Sequence, residues 1–393
     1  MFKKFLDLGN QPLANSYLQK NNSSKKEITY KLKVRINLKS YLVSIQNTVP
    51  KEKMFNEKYP YRSSMSFTMR RSFKNLAKKI LNNFKPKLIL EIGSNDGAFI
   101  KNFNKNTVIG IEPCKNLAKV TRKNGYKTFS SYWNVNLAKK ITRSKKANII
   151  YSANTISHIK DLDSVIKAID FALEKDGILI IEDPSLMECL KLNAYDQFYC
   201  EHIYVFSAIA LCNIFKKYNF EIFRIEKTKT HGGSNRYYVK RTENKKYRIE
   251  KSCKDLINKE VKYGLKKYST YLKFKKRVVK SKVELLKLLN NFKKKKLKVI
   301  GYGATAKSVT VLNYCKINQN LISYFLDTTP DKVNKYLPGS KILIKNYKKL
   351  DKKDADIVFL GAWNFKDEIL KKEKNFISKG GKFITHIPYP RII

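Results

Sequence analysis

At 393 residues, with 42% hydrophobic and 12% aromatic side chains, the chain is long enough for two or three folded units and too apolar for a disordered polymer. Its 15 Gly and 10 Pro are too few for a fibrous or low-complexity protein. The net charge of +50 invites a nucleic-acid or membrane-surface partner, yet 70 of the 82 basic residues are Lys spread over every segment, which fits a solvated surface better than an Arg-rich recognition stripe.

The first sixty-odd residues read as short strands and turns, FLDLGNQPLANSYL and then YKLKVRINLKSYLVSI, whose apolar positions partly alternate. In TMRRSFKNLAKKILNNF, Phe73, Leu76, Ala77, Ile80, Leu81 and Phe84 recur at helical steps, and Pro86 ends the helix. From residue 87 strands and helices alternate: LILEI, the turn GSNDG and a helix, TVIGIE, a helix to about 124, a short TF strand, NIIYS, a helix after Asp161, and GILIIE. Strands of continuous Ile, Leu and Val suit a parallel sheet covered on both faces, so this part is expected to be a doubly wound α/β domain. A helix around SAIALCNIFKKY leads to EIFRIEKT and NRYYVKR, whose short HGGS link predicts an antiparallel pair at the sheet edge. Residues 245–291 predict a long helix or helix pair, and a second, smaller α/β pattern follows through LKVIGYGATAKSVTVLNYC, LISYFLDTTPDK, ADIVFLGAWN and GKFITHIPYPRII. The runs KKKK at 293–296 and KK at 352–353 read as solubilising.

No apolar run approaches the roughly 18 residues of a membrane span. The opening MFKKFLDLGNQPLAN has no secretory pattern, and the six cysteines, 114, 189, 200, 212, 253 and 315, have no C-x-x-C spacing. A cytoplasmic protein with reduced thiols is expected.

The strongest local signal is LILEI followed by Gly93-Ser94-Asn95-Asp96-Gly97, with Glu112 ending the next strand. A glycine-rich strand-to-helix turn lets backbone approach a ligand, and an acid one strand later can accept both hydroxyls of a ribose. That layout suits S-adenosylmethionine; the bland alternative is an ordinary α/β turn with a surface Glu. GYGATAKS reads G-x-G-x-x-A, a Rossmann-like turn able to receive a phosphate, and is not a Walker loop.

Taken in order, LEIGSNDG, GIEPCKNLAK, NTISHIKDLDSV, FYCEHIYVFS, THGGSNRYYV, GYGATAKSVTVLNYC and AWNF with GGKFITHIPYPR resemble the S-adenosylmethionine-dependent sugar C-methyltransferases, which act on nucleotide-linked 4-keto deoxysugars. The resemblance spans nearly the whole chain, DLGNQPLAN included. It implies a class I methyltransferase, Rossmann-like doubly wound sheet at 67–244, a small N-terminal β-rich lid at 1–66, and a C-terminal Rossmann-like α/β domain with its connecting helix at 245–393. It implies a cofactor site from Glu91, Gly93, Asn95, Asp96, Gly97, Glu112 and Asn154, with S-adenosylhomocysteine as product. Tyr199, Glu201 and His202 match the family's catalytic cluster, and His158 would face the methyl group. Tyr59, Tyr61, His231 and Asn235 would line the sugar pocket, and Gly301, Gly303 and Lys307 would take the diphosphate of a nucleotide-sugar substrate.

Chemistry gives such a cluster its own reason: C-methylation next to a ketone needs a base for the carbon-bound proton and donors for the enolate oxygen. His202 could be that base, Glu201 could orient it or exchange the role, and Tyr199, Tyr59 or Tyr61 could donate to the oxyanion. His158 could equally pack against its neighbouring helix, and the Gly232-Gly233 turn beside His231 could be purely structural.

The family usually opens with a zinc site of two cysteine pairs. Here the second pair's place is taken by VRINLKS, so zinc is not expected, and the lid should pack through Phe5, Leu8, Leu13, Tyr17 and Tyr41. Carbon, most simply C3, is the expected acceptor; oxygen or nitrogen methylation on the same scaffold is the alternative, and a nucleic-acid-binding protein is the rival from another class. No specific nucleic acid and no membrane insertion are expected, and the chain would act as a monomer or homodimer.

Overall fold

The computed structural model describes residues 1–22 and 26–393. Three sheets organise the described chain.

The N-terminal sheet contains the strands Phe2–Pro12, Thr29–Asn37 and Val43–Ile45 in antiparallel order. Its fourth strand, Tyr204–Val205, comes from far along the chain and immediately follows the Glu201-His202 pair. Phe5 and Leu8 are buried as expected, whereas Leu13, Tyr17 and Tyr41 are half-buried. Phe5 packs outward, its ring 4.9 Å from Tyr271 and 6.3 Å from Phe198, so it joins this sheet to its neighbours. The Tyr17 hydroxyl donates to the Ala304 carbonyl at 2.7 Å, a link to the C-terminal domain that no local pattern foretells.

The helix Phe67–Phe84 starts at Ser66, whose hydroxyl accepts from the Met69 N–H, and ends where Lys85 turns left-handed just before Pro86. Met69, Phe73, Leu76, Ala77 and Ile80 form its buried stripe, with Phe73 set against Phe99 and Tyr151. Each such side chain contributes about 1.5–3 kcal/mol on burial.

The central sheet has seven strands. In spatial order they are Phe220–Thr228, Ser234–Arg241, Leu173–Pro184, Ala147–Ala153, Ile89–Ile92, Val108–Ile111 and Thr128–Phe129. Ser234–Arg241 alone runs antiparallel to its neighbours. This is the class I methyltransferase arrangement, with the switch in strand order beside Ile89–Ile92, where the sheet opens a crevice at the carboxyl ends of its strands.

One expectation fails here. No α-helix follows GSNDG; the chain makes only the short 3₁₀ turn Ile100–Asn102. Ala98, Phe99, Ile100 and Phe103 are all buried, and the Asn102 amide donates to the carbonyls of Ala98 and Phe99, so packing and a local side-chain bond replace a helical repeat. A helix N-terminus is therefore not available to an anion at this turn.

The region after 245 is a helix pair, Lys251–Tyr263 and Tyr268–Lys294, joined through Gly264 in the left-handed region. The first helix lies against the central domain: the Glu260 carboxylate accepts from the N–H groups of Ala208 and Ile209 and caps the helix Ala208–Phe215. The C-terminal sheet orders its strands as Leu343–Asn346, Tyr324–Asp327, Val299–Tyr302, Ile357–Leu360, Lys382–Thr385 and Arg391–Ile392, parallel except for the last. The strand Leu343–Asn346 was not foreseen, because KILIKN is short and lysine-rich. Among the described residues no helix is long and apolar enough to cross a membrane, and all six cysteines are free.

Candidate active site

The crevice of the central sheet and that of the C-terminal sheet open into one cavity of about 770 Å³, roofed by the N-terminal residues Asn15, Tyr59 and Tyr61. Each crevice is organised the same way. In the central domain, Glu112 accepts the Asn95 N–H on one oxygen and the Cys114 N–H on the other, both at 2.8 Å. In the C-terminal domain, Asp327 accepts the Ala304 N–H at 2.9 Å and the Thr329 N–H at 2.8 Å. An acid at the end of the second strand thus clamps the glycine turn of the first.

The central turn is built for close approach. Gly93 has φ +77, and a Cβ there would lie 2.1 Å from Thr155 Oγ1. Asn154, also left-handed at φ 50, lines the cavity, and its buried Oδ1 has no protein partner. An orphaned acceptor and the Glu112 carboxylate, both lining the cavity on either side of this tightly packed glycine turn, fit a bound nucleoside with an amino-acid tail. Gly93→Ala is expected to weaken S-adenosylhomocysteine binding by at least about tenfold, read by calorimetry, because the added Cβ and the unfavourable φ both act on the turn.

Two phenols also face the cavity, each backed by a base. The Tyr199 hydroxyl lies 2.5 Å from His202 Nε2, and His202 Nδ1 lies 2.7 Å from the Gln197 carbonyl. A carbonyl only accepts, so Nδ1 carries the proton and Nε2 receives the phenol. The Tyr59 hydroxyl donates to Glu201 Oε2 at 2.9 Å, while Asn15 donates to Oε1 at 2.7 Å. Burial holds His202 well below the usual histidine range, with His158 adding to the effect, and pushes Glu201 up to about 7. His158 stacks on His202 with ring centroids 5.0 Å apart, and burial lowers it to about 4; its Nε2 has no partner. His231 is lowered to about 3, chiefly by burial, and its Nε2 is likewise free of partners. Three neutral imidazoles therefore face one cavity.

Three family models account for most of the sequence. "Methyltransferase domain" matches residues 61–225, "C-methyltransferase C-terminal domain" matches 229–388, and a zinc binding domain model matches 1–55. A curated relative, C-methyltransferase NovU of Streptomyces niveus, is 27% identical over 99% of this chain and 93% of its own length. The chain is an S-adenosylmethionine-dependent methyltransferase. The two C-methyltransferase matches support carbon as the acceptor. Solved structures give fainter likenesses. Magnesium protoporphyrin IX methyltransferase from Synechocystis PCC 6803 is 12% identical over 45% of this chain and 84% of that one, with a TM-score of 0.34. A methyltransferase from Thermotoga maritima is 20% identical over 44% and 86%, with a TM-score of 0.33.

The zinc-type N-terminal match comes without zinc chemistry. Residues 1–55 of the methyltransferase contain neither Cys nor His. Among the described residues no cluster of three or more Cys, His, Asp or Glu could hold a metal, so the residues present do not fit the ion.

Of the residues singled out from sequence, Tyr199, His202, His158, Gly93, Asn95, Glu112, Asn154, Tyr59, Tyr61, His231, Gly303 and Lys307 line the cavity. Others are set back from it. Glu201 is bonded to Tyr59, which lines the cavity where Glu201 does not. Asp96 is spent on Ser63 and Ser64, closing the 3₁₀ turn Ser63–Met65 over the crevice. Glu91 is buried beneath the turn, and Gly97 makes room for Thr121, which a Cβ would approach to 2.7 Å. Asn235 does not reach the pocket: it pairs with the Tyr237 hydroxyl at 3.1 Å inside the sheet. Gly301 lies under the Phe325 ring, 2.4 Å from where its Cβ would be.

In the turn of GYGATAKS the N–H of Gly303 goes to the Leu326 carbonyl, that of Ala304 to Asp327, and that of Thr305 to the Gly303 carbonyl, so these three donors are already used. Sequence reasoning missed Asp196, Gln197 and Trp363. The Gln197 side chain donates to the His231 carbonyl at 2.7 Å while its own carbonyl fixes His202. Asp196 accepts from Trp363 Nε1 at 2.6 Å and lies 3.1 Å from His386 Nε2, and Trp363 packs on Gly232. Gly232 was the available clue, since only a residue lacking Cβ tolerates that ring.

Proposed function

We propose that this methyltransferase methylates the carbon next to the ketone of a nucleotide-activated 4-keto deoxysugar, at C3, in the cytoplasm. The observation that carries the reading is a single cavity holding both the Gly93–Glu112–Asn154 crevice and the Tyr199–His202 pair with the unpartnered His158. When bound, S-adenosylmethionine supplies an electrophilic methyl group on a sulfonium.

Glu112 and Asn154 would hold the cofactor, the first through lone pairs left over from its two backbone contacts and the second through its free Oδ1. Acidity at a carbon adjacent to a carbonyl is weak, so the chain must supply a base already unprotonated at neutral pH. The Tyr199–His202 pair meets that need: burial keeps the imidazole neutral, Gln197 fixes its tautomer, and Tyr199 can pass a proton to Nε2. The relative named as a C-methyltransferase supports carbon as the acceptor. The double Rossmann architecture supports a substrate long enough to span both crevices, as a nucleoside diphosphate sugar is.

The test is a set of UDP- and dTDP-linked 4-keto-6-deoxyhexoses incubated with S-adenosylmethionine and analysed by mass spectrometry. A gain of one methyl group, with solvent deuterium entering C3 when the cofactor is omitted, is the expected result. Methyl gain on oxygen or nitrogen, with no exchange at C3, would remove the enolisation mechanism.

A further inference from the structure

Three lysines of the C-terminal domain line the cavity, the exposed Lys372 and two buried ones, Lys307 and Lys332, each about 7% exposed. Lys332 is fully engaged. Its Nζ donates to the Ala304 carbonyl at 3.0 Å, pairs with Asp327 at 3.4 Å, and lies over the Tyr17 ring. Lys307 is not. Its hydrogen-bond partner is Asn364 Oδ1, at a long 3.4 Å, and its ammonium rests 5.0 Å from the centroid of Trp363. Among the described residues it makes no ion pair within 4 Å.

That arrangement is costly on its own. A buried ammonium prefers a paired carboxylate, and Lys307 sits in the first turn of the helix Ala306–Cys315, the end where the helix dipole disfavours a cation. Burial lowers it to about 8, with the field of Asp196 opposing the shift. A cation kept in such a place, with donors unspent, is poised for negative charge brought by a ligand. Its position says which charge. Trp363, beneath the ammonium, packs on Gly232 beside His231 and donates to Asp196, so Lys307 stands on the side of the cavity that carries the Asp196–His202 segment.

We propose that Lys307 is a catalytic residue whose ammonium donates to the carbonyl oxygen of the acceptor sugar and holds the negative charge that develops there. The proposal rests on the enolisation reading above and replaces the diphosphate role expected from sequence. In the step it serves, the base takes the proton from the carbon next to the ketone. The C–H electron pair becomes the new carbon–carbon π bond, and the former carbonyl pair moves onto oxygen, where Lys307 meets it. That pair returns to re-form the carbonyl as the carbon–carbon π pair bonds to the methyl carbon, whose former bond pair to sulfur stays on sulfur as the neutral thioether leaves. Such a cation acts only as charge appears, which is the condition for lowering the barrier rather than merely tightening binding.

The test compares wild type with Lys307→Met, of similar length and no charge. Three readouts are taken: deuterium entry at C3 of a dTDP-4-keto-6-deoxyhexose without cofactor, kcat and KM for methyl transfer, and calorimetric affinity for S-adenosylhomocysteine, UDP and dTDP. Lys307→Met is expected to lower both exchange and kcat by about 10²-fold or more, as loss of one oxyanion donor does, with all three affinities kept within about twofold. If instead UDP and dTDP bind about tenfold more weakly while kcat holds, Lys307 anchors the diphosphate and the proposal is wrong. Unchanged exchange, kcat and affinities overturn it as well. Should Lys307→Met fail to fold, Lys307→Gln carries the same comparison. Wild type that neither exchanges nor methylates any 4-keto nucleotide sugar would overturn the enolisation reading first, and this assignment with it; an active wild type with an equally active variant sinks this assignment alone.

Discussion

Replacing His202 by alanine is expected to lower methyl transfer by about 10²–10⁴-fold, the range over which a positioned acid or base contributes. S-adenosylhomocysteine affinity should hold, because the hydrogen bonds of His202 go to Tyr199 and Gln197 and none to Gly93, Glu112 or Asn154. Tyr199→Phe should fall short of that loss, since it removes the phenol and leaves the Nε2 lone pair in place. The pH profile separates the groups further. Glu201 ionises through about 7, and its carboxylate, the form that accepts from Tyr59 and Asn15, is gained as pH rises. Lys307 is charged below about 8 and loses its proton as pH rises. Activity should therefore climb through about 7 and decline through about 8. His202, held well below 6.5, is neutral across that window and supplies neither limb. Glu201→Gln should erase the rising limb and Lys307→Met the falling one. A rising limb that survives Glu201→Gln would exclude Glu201 as its source.

The largest stability loss is expected at the edge of the central sheet. Glu182 and Arg236 form a buried pair, with Arg236 Nη2 at 2.7 Å and Nε at 2.9 Å from one carboxylate oxygen, while Thr230 donates to the other at 2.8 Å. Arg236→Met leaves the carboxylate buried without its cation. The expected cost is about 3–5 kcal/mol, the loss found when one partner of a buried pair is removed. Chemical denaturation checks it as a lower midpoint at unchanged slope. Because Thr230 begins the turn carrying His231, the variant should also lose activity out of proportion to its folded fraction. A loss of under about 1 kcal/mol would mean the pair behaves like a solvated surface contact.

Much of this architecture is legible in the residues themselves. LILEI, VIGI and NIIYS are continuous apolar runs because both faces of their sheet are covered, and the stripe from Phe73 to Ile80 keeps a helical step because only one face is. The cluster proposed for catalysis is legible for another reason: Tyr199, Glu201 and His202 lie within four positions, so their proximity costs no knowledge of the fold. What escapes is set by distant partners. The strand Tyr204–Val205 exists because Val43 and Ser44 offer it an edge. Glu201 is bonded to Tyr59, 142 positions earlier. At the turn of Gly303, the side chain of Asp327 and the Leu326 carbonyl take two of the N–H donors, which no local spacing foretells. Spacing along a chain reports what neighbours can do, and tertiary competition decides what they do.

The segment from Asp196 to Val205 is fastened at both ends, to Trp363 and His386 on one side and to the N-terminal sheet on the other. Neither outer domain can swing away by itself without dragging the imidazole and phenol out of register. Elsewhere around the cavity Arg62 meets Asp331 at 2.8 Å and Thr68 meets Glu368 at 3.0 Å, contacts that are half-exposed or exposed and cheap to part. The C-terminal domain is thus stitched by buried bonds where it holds the imidazole and phenol, and merely latched by solvated ones at Arg62 and Thr68.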